Sequence, residues 1–180
     1  MNNDDRLHRF YYIDNYTIEI IRVPNPCSYT EYSRYKFSII FRDKNTGVII
    51  VQIETNEKYI FKFVLSMYQY NMYTYDTMEN ERAWFDPDVL GNRYIIEVSV
   101  VGQDYPTEIN ISRLSVYSYN QNTGEVIQRL SFKLDEYELD DLLFQFWVSL
   151  YGLTYLNELA KTELDCYLND MGLDLSEIEI

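Results

Sequence analysis

Apolar residues first alternate with polar ones in short stretches rich in β-branched and aromatic side chains. They then shift to a spacing of three and four, and the chain makes this change twice. In the first pass, residues 10–23 predict one strand or a pair of short ones, closed by Pro24 and Pro26. Residues 35–42 and 48–54 predict two further strands, joined by the turn Asp43-Lys44-Asn45-Thr46-Gly47, in which glycine supplies a positive φ. Thr55 and Asn56 can cap a helix over 57–73 that keeps Ile60, Phe63, Val64 and Met67 on one face, with Asn71 a further candidate for it. In the second pass, residues 94–101 predict a strand, and 103–110, holding Pro106, a turn region. Residues 111–119 and 126–134 predict a hairpin about Asn120-Gln121-Asn122-Thr123-Gly124. A helix over 139–151 then aligns Leu139, Leu142, Leu143, Phe146, Trp147 and Leu150, and the carboxylates at 135–141 suit the positive end of its dipole. Past Gly152, a further amphipathic helix over 154–170 carries Leu156, Leu159, Leu164 and Leu168 and ends by Gly172.

The two passes also match in wording. Tyr16-Thr17-Ile18-Glu19-Ile20 answers Tyr94-Ile95-Ile96-Glu97-Val98, Asn45-Thr46-Gly47 answers Asn122-Thr123-Gly124, and the stretch from Ile60 answers that from Leu143. The three offsets, 78, 77 and 83 residues, run in one order, the mark of a repeated structural unit. The expected fold is α+β, an internal duplication of a strand-strand-strand-helix unit. It forms antiparallel sheet or sheets with helices packed on one face, plus an extra C-terminal helix. The expected organisation is a flexible leader over 1–9, a first unit over 10–79, a connector over 80–92, a second unit over 93–172 and an acidic tail over 173–180. All of it forms one compact domain, because either half alone leaves apolar surface uncovered.

Composition leaves ample core: 47% of the 180 residues are apolar and 17% aromatic. The nineteen tyrosines are read first as sheet residues and second as contributors to a binding face. Cys27 and Cys166 lack metal-ligand spacing and read as reduced thiols, with a cytoplasmic setting. No apolar run is long enough to span a bilayer, so no membrane partner is expected.

Little in the chain supports catalysis, and no enzyme is expected. His8 is the single histidine and falls in the expected leader, which disfavours Ser–His triads and most zinc sites. Six glycines are scattered singly, so no phosphate-cradling loop is formed and no cofactor is expected. Two carboxylate groups could hold a hard cation, namely Asp86 with Asp88 and Glu136, Glu138, Asp140 and Asp141, but neither fits a calcium loop. The reading adopted for them is solvated or helix-capping acid; a carboxylate- or metal-dependent enzyme centred on Asp86 and Asp88 is the alternative.

Charge changes the picture most. The net charge is −14, and residues 135–180 hold 12 acidic side chains against Lys161 alone. Such a field disfavours direct nucleic-acid binding and accelerates encounter with basic surfaces. The expected partner is a basic protein, one that handles nucleic acid, and the chain itself is expected as monomer or small homo-oligomer. Carboxylates here can occupy a groove built for phosphates, with Asp135, Glu136, Glu138, Asp140, Asp141, Glu158, Glu163, Asp165 and Asp170 as the expected contacts. Small size, acidity and abundant tyrosine without catalytic signatures make the profile similar to phage-encoded inhibitors, anti-CRISPR proteins among them. It is also similar to immunity proteins that neutralise toxins. That likeness implies a host bacterium's cytoplasm and an inhibitory role.

Overall fold

The computed structural model describes residues 6–25, 35–77 and 80–151. Eight strands and two helices follow one another as β1 (Leu7–Ile13), β2 (Tyr16–Pro24), β3 (Tyr35–Asp43), β4 (Ile49–Asn56), α1 (Glu57–Thr77), β5 (Glu81–Trp84), β6 (Asn92–Asp104), β7 (Ile109–Asn120), β8 (Val126–Asp135) and α2 (Glu136–Tyr151). They make an α+β fold of two antiparallel four-stranded sheets, ordered β1-β2-β3-β4 and β5-β6-β7-β8, each followed in the chain by a helix.

Each sheet therefore has four strands where the sequence predicts three in each stretch. The run 10–23 is a hairpin, because Asp14 takes a positive φ of 51° and turns the chain with Asn15, pairing Ile13 with Tyr16. An Asp-Asn pair inside an apolar run is the local signal for that turn. Leu7, His8 and Arg9, expected in a flexible leader, belong to β1 and pair with Arg22, Ile21 and Ile20. The expected connector at 80–92 contains β5, a four-residue edge strand in which Ala83 alone is buried, too short to display an alternation. The helix expected over 154–170 and the acidic tail lie outside the described residues, as do Cys27 and Cys166.

Alternation puts one face of each sheet into a common core. Ile18, Ile20, Phe37, Ile39, Phe41, Val51 and Ile53 line the first sheet's inner face, and Ile96, Val98, Leu114, Val116, Leu130, Phe132 and Leu134 the second's. Neither helix serves its own sheet alone. α1 packs on β3 and β4 and also on β5 and β6, while α2 packs on β7 and β8 and also on β1 and β2. The helices meet where Phe63 lies edge-on to Phe146, ring centroids 4.9 Å apart. The sheets approach one another at β4 and β8.

The matched segments occupy corresponding places. Glu19 and Glu97 both sit in the second strand of their sheets and face away from the core. Ile60, Phe63, Val64 and Met67 are buried on α1 as Leu143, Phe146, Trp147 and Leu150 are on α2. The turns between third and fourth strands agree bond for bond. Gly47 N–H donates to Asp43 O and Gly124 N–H to Asn120 O, both at 2.8 Å. The Asp43 carboxylate accepts from Asn45 N and Thr46 N as the Asn120 amide oxygen accepts from Asn122 N and Thr123 N. Gly47 and Gly124 take φ values of 72° and 74°, which a side chain would resist.

Candidate functional site

The acidic start of α2 divides into two kinds of carboxylate. Asp135 Oδ1 accepts from Glu138 N at 2.8 Å, and Glu138 Oε1 accepts from Asp135 N at 3.1 Å, a reciprocal capping box. These two acids therefore hold the helix end, and their D-x-x-E spacing could have been read as such. Asp140 and Asp141 stand exposed one turn further on, with Glu136 half-buried. Tyr137, 62% exposed, and Phe144, 40% exposed, flank them at helical spacing. The open side of α2 is thus an aromatic ring, two carboxylates and a second ring, over a stretch 135–151 that has five acids and no Lys or Arg. Of the expected contact residues, Asp135, Glu136, Glu138, Asp140 and Asp141 are brought together here, whereas Glu158, Glu163, Asp165 and Asp170 lie outside the described residues.

The field of this cluster is felt by its neighbours. Tyr11 donates its hydroxyl to Glu138 O at 2.9 Å, and burial, reinforced by Asp141, Glu138 and Asp135, pushes its pKa up to about 12. Tyr68 on α1 is also pushed to about 12, by burial and then by Asp140. A tyrosine whose pKa is raised in the fold favours the folded state fully below the unfolded value of about 10, and that contribution disappears as pH climbs to 12. Alkaline titration followed by circular dichroism is therefore expected to destabilise the protein between pH 10 and 12, and Tyr68→Phe to reduce that loss. On the far side, Arg9 Nε and Nη2 donate to Gln145 Oε1, which bounds the acidic stretch with a cation.

Asp135→Ala removes the cap and is expected to lower stability by about 1 kcal/mol, with Asp135→Asn nearly neutral. Thermal unfolding of both variants checks this assignment.

α2 is oriented by buried groups. Arg22, reaching from β2, donates through Nη1 to Ser149 O at 2.9 Å, and its guanidinium lies 5.0 Å from the Tyr35 ring centroid. A cation at the carbonyl end complements the helix dipole there, since the last turn has no basic residue of its own.

The other candidates fall to structural tasks. Asp88 Oδ1 accepts from Leu90 N and Asn92 N, both at 2.9 Å, shaping the β5–β6 loop, while Asp86 accepts the Tyr59 hydroxyl. Among the described residues, no three His, Cys, Asp or Glu side chains are grouped so as to hold a metal ion. His8, expected in the leader, sits on the outer face of β1, its ring centroid 4.2 Å from that of Phe10 and its Nε2 3.2 Å from Glu19 Oε2. Glu19 is only 7% exposed and also accepts from Arg42 Nε at 2.6 Å. Its counterpart Glu97, 8% exposed, accepts from Arg82. The matched Glu in the two Tyr-x-Ile-Glu segments was the available signal for these buried ion pairs.

No family model matches the chain, and no curated protein does. Among solved structures, it is similar to the crystal structure of WHY1 from Arabidopsis thaliana, at 10% identity and a TM-score of 0.46, over 88% of this chain and 92% of that one. At that distance the likeness carries no functional argument. Among the described residues, no helix is long and apolar enough to cross a membrane.

Proposed function

We propose that this protein is an acidic inhibitor that docks on a basic, nucleic-acid-handling protein and takes the place of the nucleic acid there. The observation that carries the reading is the open side of α2, where Asp140 and Asp141 stand between the exposed rings of Tyr137 and Phe144. Carboxylates at one helical turn offer negative charge to a cationic groove, and the rings offer the apolar faces that stacked bases present. Asp135 and Glu138 contribute field while holding the cap, and the exposed Asp140 and Asp141, with Glu136 beside them, present their charge outward. On this reading the setting is the cytoplasm of a host bacterium, and the role is of the phage anti-defence kind. A toxin-neutralising immunity protein would use the same face on a basic toxin. The test is capture of a partner on the immobilised protein, with duplex DNA as competitor. Release of the partner by DNA supports the reading, and capture indifferent to DNA opposes it.

The scaffold behind that face is, in this proposal, a duplicated unit. Support comes from the matching hydrogen bonds of the two turns at Asp43–Gly47 and Asn120–Gly124 and from the corresponding positions of Glu19 and Glu97. Exchanging the five residues of one turn for those of the other is expected to change stability by no more than about 0.5 kcal/mol. A denaturant titration with a loss several times larger would argue against equivalent units.

A further inference from the structure

A cleft of about 330 Å³ opens between α1, β5 and β6, on elements remote in sequence from the acidic start of α2, and its lining reverses the chemistry of the rest of the molecule. Lys62 from α1, Arg82 from β5 and Arg93 from β6 converge on it, together with Tyr59, Trp84 and Ser66. In a chain with 29 acidic side chains and 15 Lys and Arg, three cations from three elements sharing one concave site is a notable local excess.

The charges there are only partly answered. Arg82 is paired with Glu97, and Asp86 touches the site through the Tyr59 hydroxyl. Among the described residues, neither Lys62 nor Arg93 is in an ion pair with a carboxylate. Arg93 Nε donates to Phe85 O at 2.8 Å, which fixes the guanidinium while leaving its charge uncancelled. That guanidinium lies 5.1 Å from the Trp84 ring centroid, and the Lys62 ammonium 6.0 Å from that of Tyr59. Trp84 is 41% exposed and also meets Tyr119 in a T-shaped contact, with ring planes at 85° and centroids 6.3 Å apart. The rings and the fork are therefore set before anything binds, which limits the ordering cost of a ligand.

We propose that this cleft binds a small phosphorylated ligand bearing a planar ring, of the size and chemistry of a nucleoside monophosphate. Two uncancelled cations, one of them a planar fork, suit a phosphate monoester, whose charge at neutral pH is about −1.5 to −2. A single carboxylate would satisfy one of them. The exposed indole of Trp84 and the half-buried phenol of Tyr59 supply flat apolar surface for the ring, and the volume falls at the small end of the range of ligand sites, roughly 300–1,000 Å³. The same chemistry is offered by a free nucleotide and by the phosphorylated end of a nucleic-acid strand.

Calorimetric titration of the whole protein with AMP, adenosine and inorganic phosphate tests this, with a short 5′-phosphorylated DNA strand as a fourth arm. The expected result is saturable binding of one AMP, with adenosine and inorganic phosphate each at least tenfold weaker. Lys62→Ala and Arg93→Lys should each weaken AMP at least tenfold with unchanged circular dichroism. Lys62 is exposed, so its replacement serves if the Arg93 change disturbs the Phe85 loop. Binding of the DNA strand with the same dependence on Lys62 assigns the strand end as source, and its failure beside AMP binding assigns the free nucleotide. No heat with AMP at millimolar concentration overturns the proposal. So does AMP binding that ignores both substitutions, or adenosine or inorganic phosphate binding as well as AMP. None of these changes touches α2, so Lys62→Ala, which should lose AMP and keep the partner, separates this proposal from the partner-binding reading.

Discussion

Phe63→Ala is expected to cost about 3–5 kcal/mol of stability, the largest effect of any single truncation argued from this structure. Phe63 is buried on α1 where that helix meets both α2 and the β5–β6 loop, its ring 4.9 Å from Phe146 and 6.1 Å from Phe85 by centroid. Removing it opens a void lined by both halves, and the close packing of the two helices gives the surroundings little freedom to collapse. Because α1 covers β5 and α2 covers β1, the loss should appear as one cooperative transition shifted to lower denaturant rather than as melting of one half. Urea unfolding followed in parallel by far-ultraviolet circular dichroism and by fluorescence of Trp84 and Trp147 checks both points. A cost below about 1 kcal/mol, or two separated transitions, would mean that each half carries its own core.

The second large effect is functional. Asp140→Lys combined with Asp141→Lys turns the open side of α2 from negative to positive while leaving the Asp135–Glu138 cap intact. Each reversal removes an attraction and adds a repulsion against a cationic groove, so affinity for the basic partner should fall by at least roughly thirtyfold. The association rate should take much of that loss, and the fall should shrink as salt screens the field. Tyr137→Ala in the same assay separates charge from apolar contact. It should weaken binding with little change in salt dependence. Stopped-flow or surface-based kinetics at two ionic strengths reads all three quantities, and unaltered thermal unfolding excludes a folding defect.

The parts of the fold that could be read from residues are those where pattern and turn chemistry agree. The Tyr-x-Ile-Glu segments became β2 and β6, the Asn-Thr-Gly segments became twin hairpin turns, and the apolar faces of both helices followed from their spacing, save Tyr70, which is also buried on α1. Asn56 caps α1 as its position suggested, its side-chain oxygen accepting from Tyr59 N at 3.3 Å. What escaped was short or set by distant pairing. β1 begins at Leu7 because its backbone finds β2, a long-range partner that a charged N-terminal stretch does not announce. β5 exists because Arg82 and Ala83 pair with Glu97 and Ile96, and four residues cannot show a period. At the functional level, the carboxylates were visible as a charge excess and the Asp135–Glu138 cap was legible in its D-x-x-E spacing, whereas which of the remaining acids stand open depends on which way each side chain turns. The cationic cleft was invisible in sequence, since Lys62, Arg82 and Arg93 lie on three elements and are outnumbered by acids along the chain.

Nucleic-acid mimicry by α2 is tested most directly by affinity for the captured partner as a function of salt, for the native protein and for the Asp140→Lys, Asp141→Lys double variant. If α2 takes the place of nucleic acid, native affinity falls steeply and linearly in logarithmic coordinates, duplex DNA competes, and the variant has lost most of both the affinity and the slope. Equal affinity and equal slope for the two proteins would contradict that mimicry.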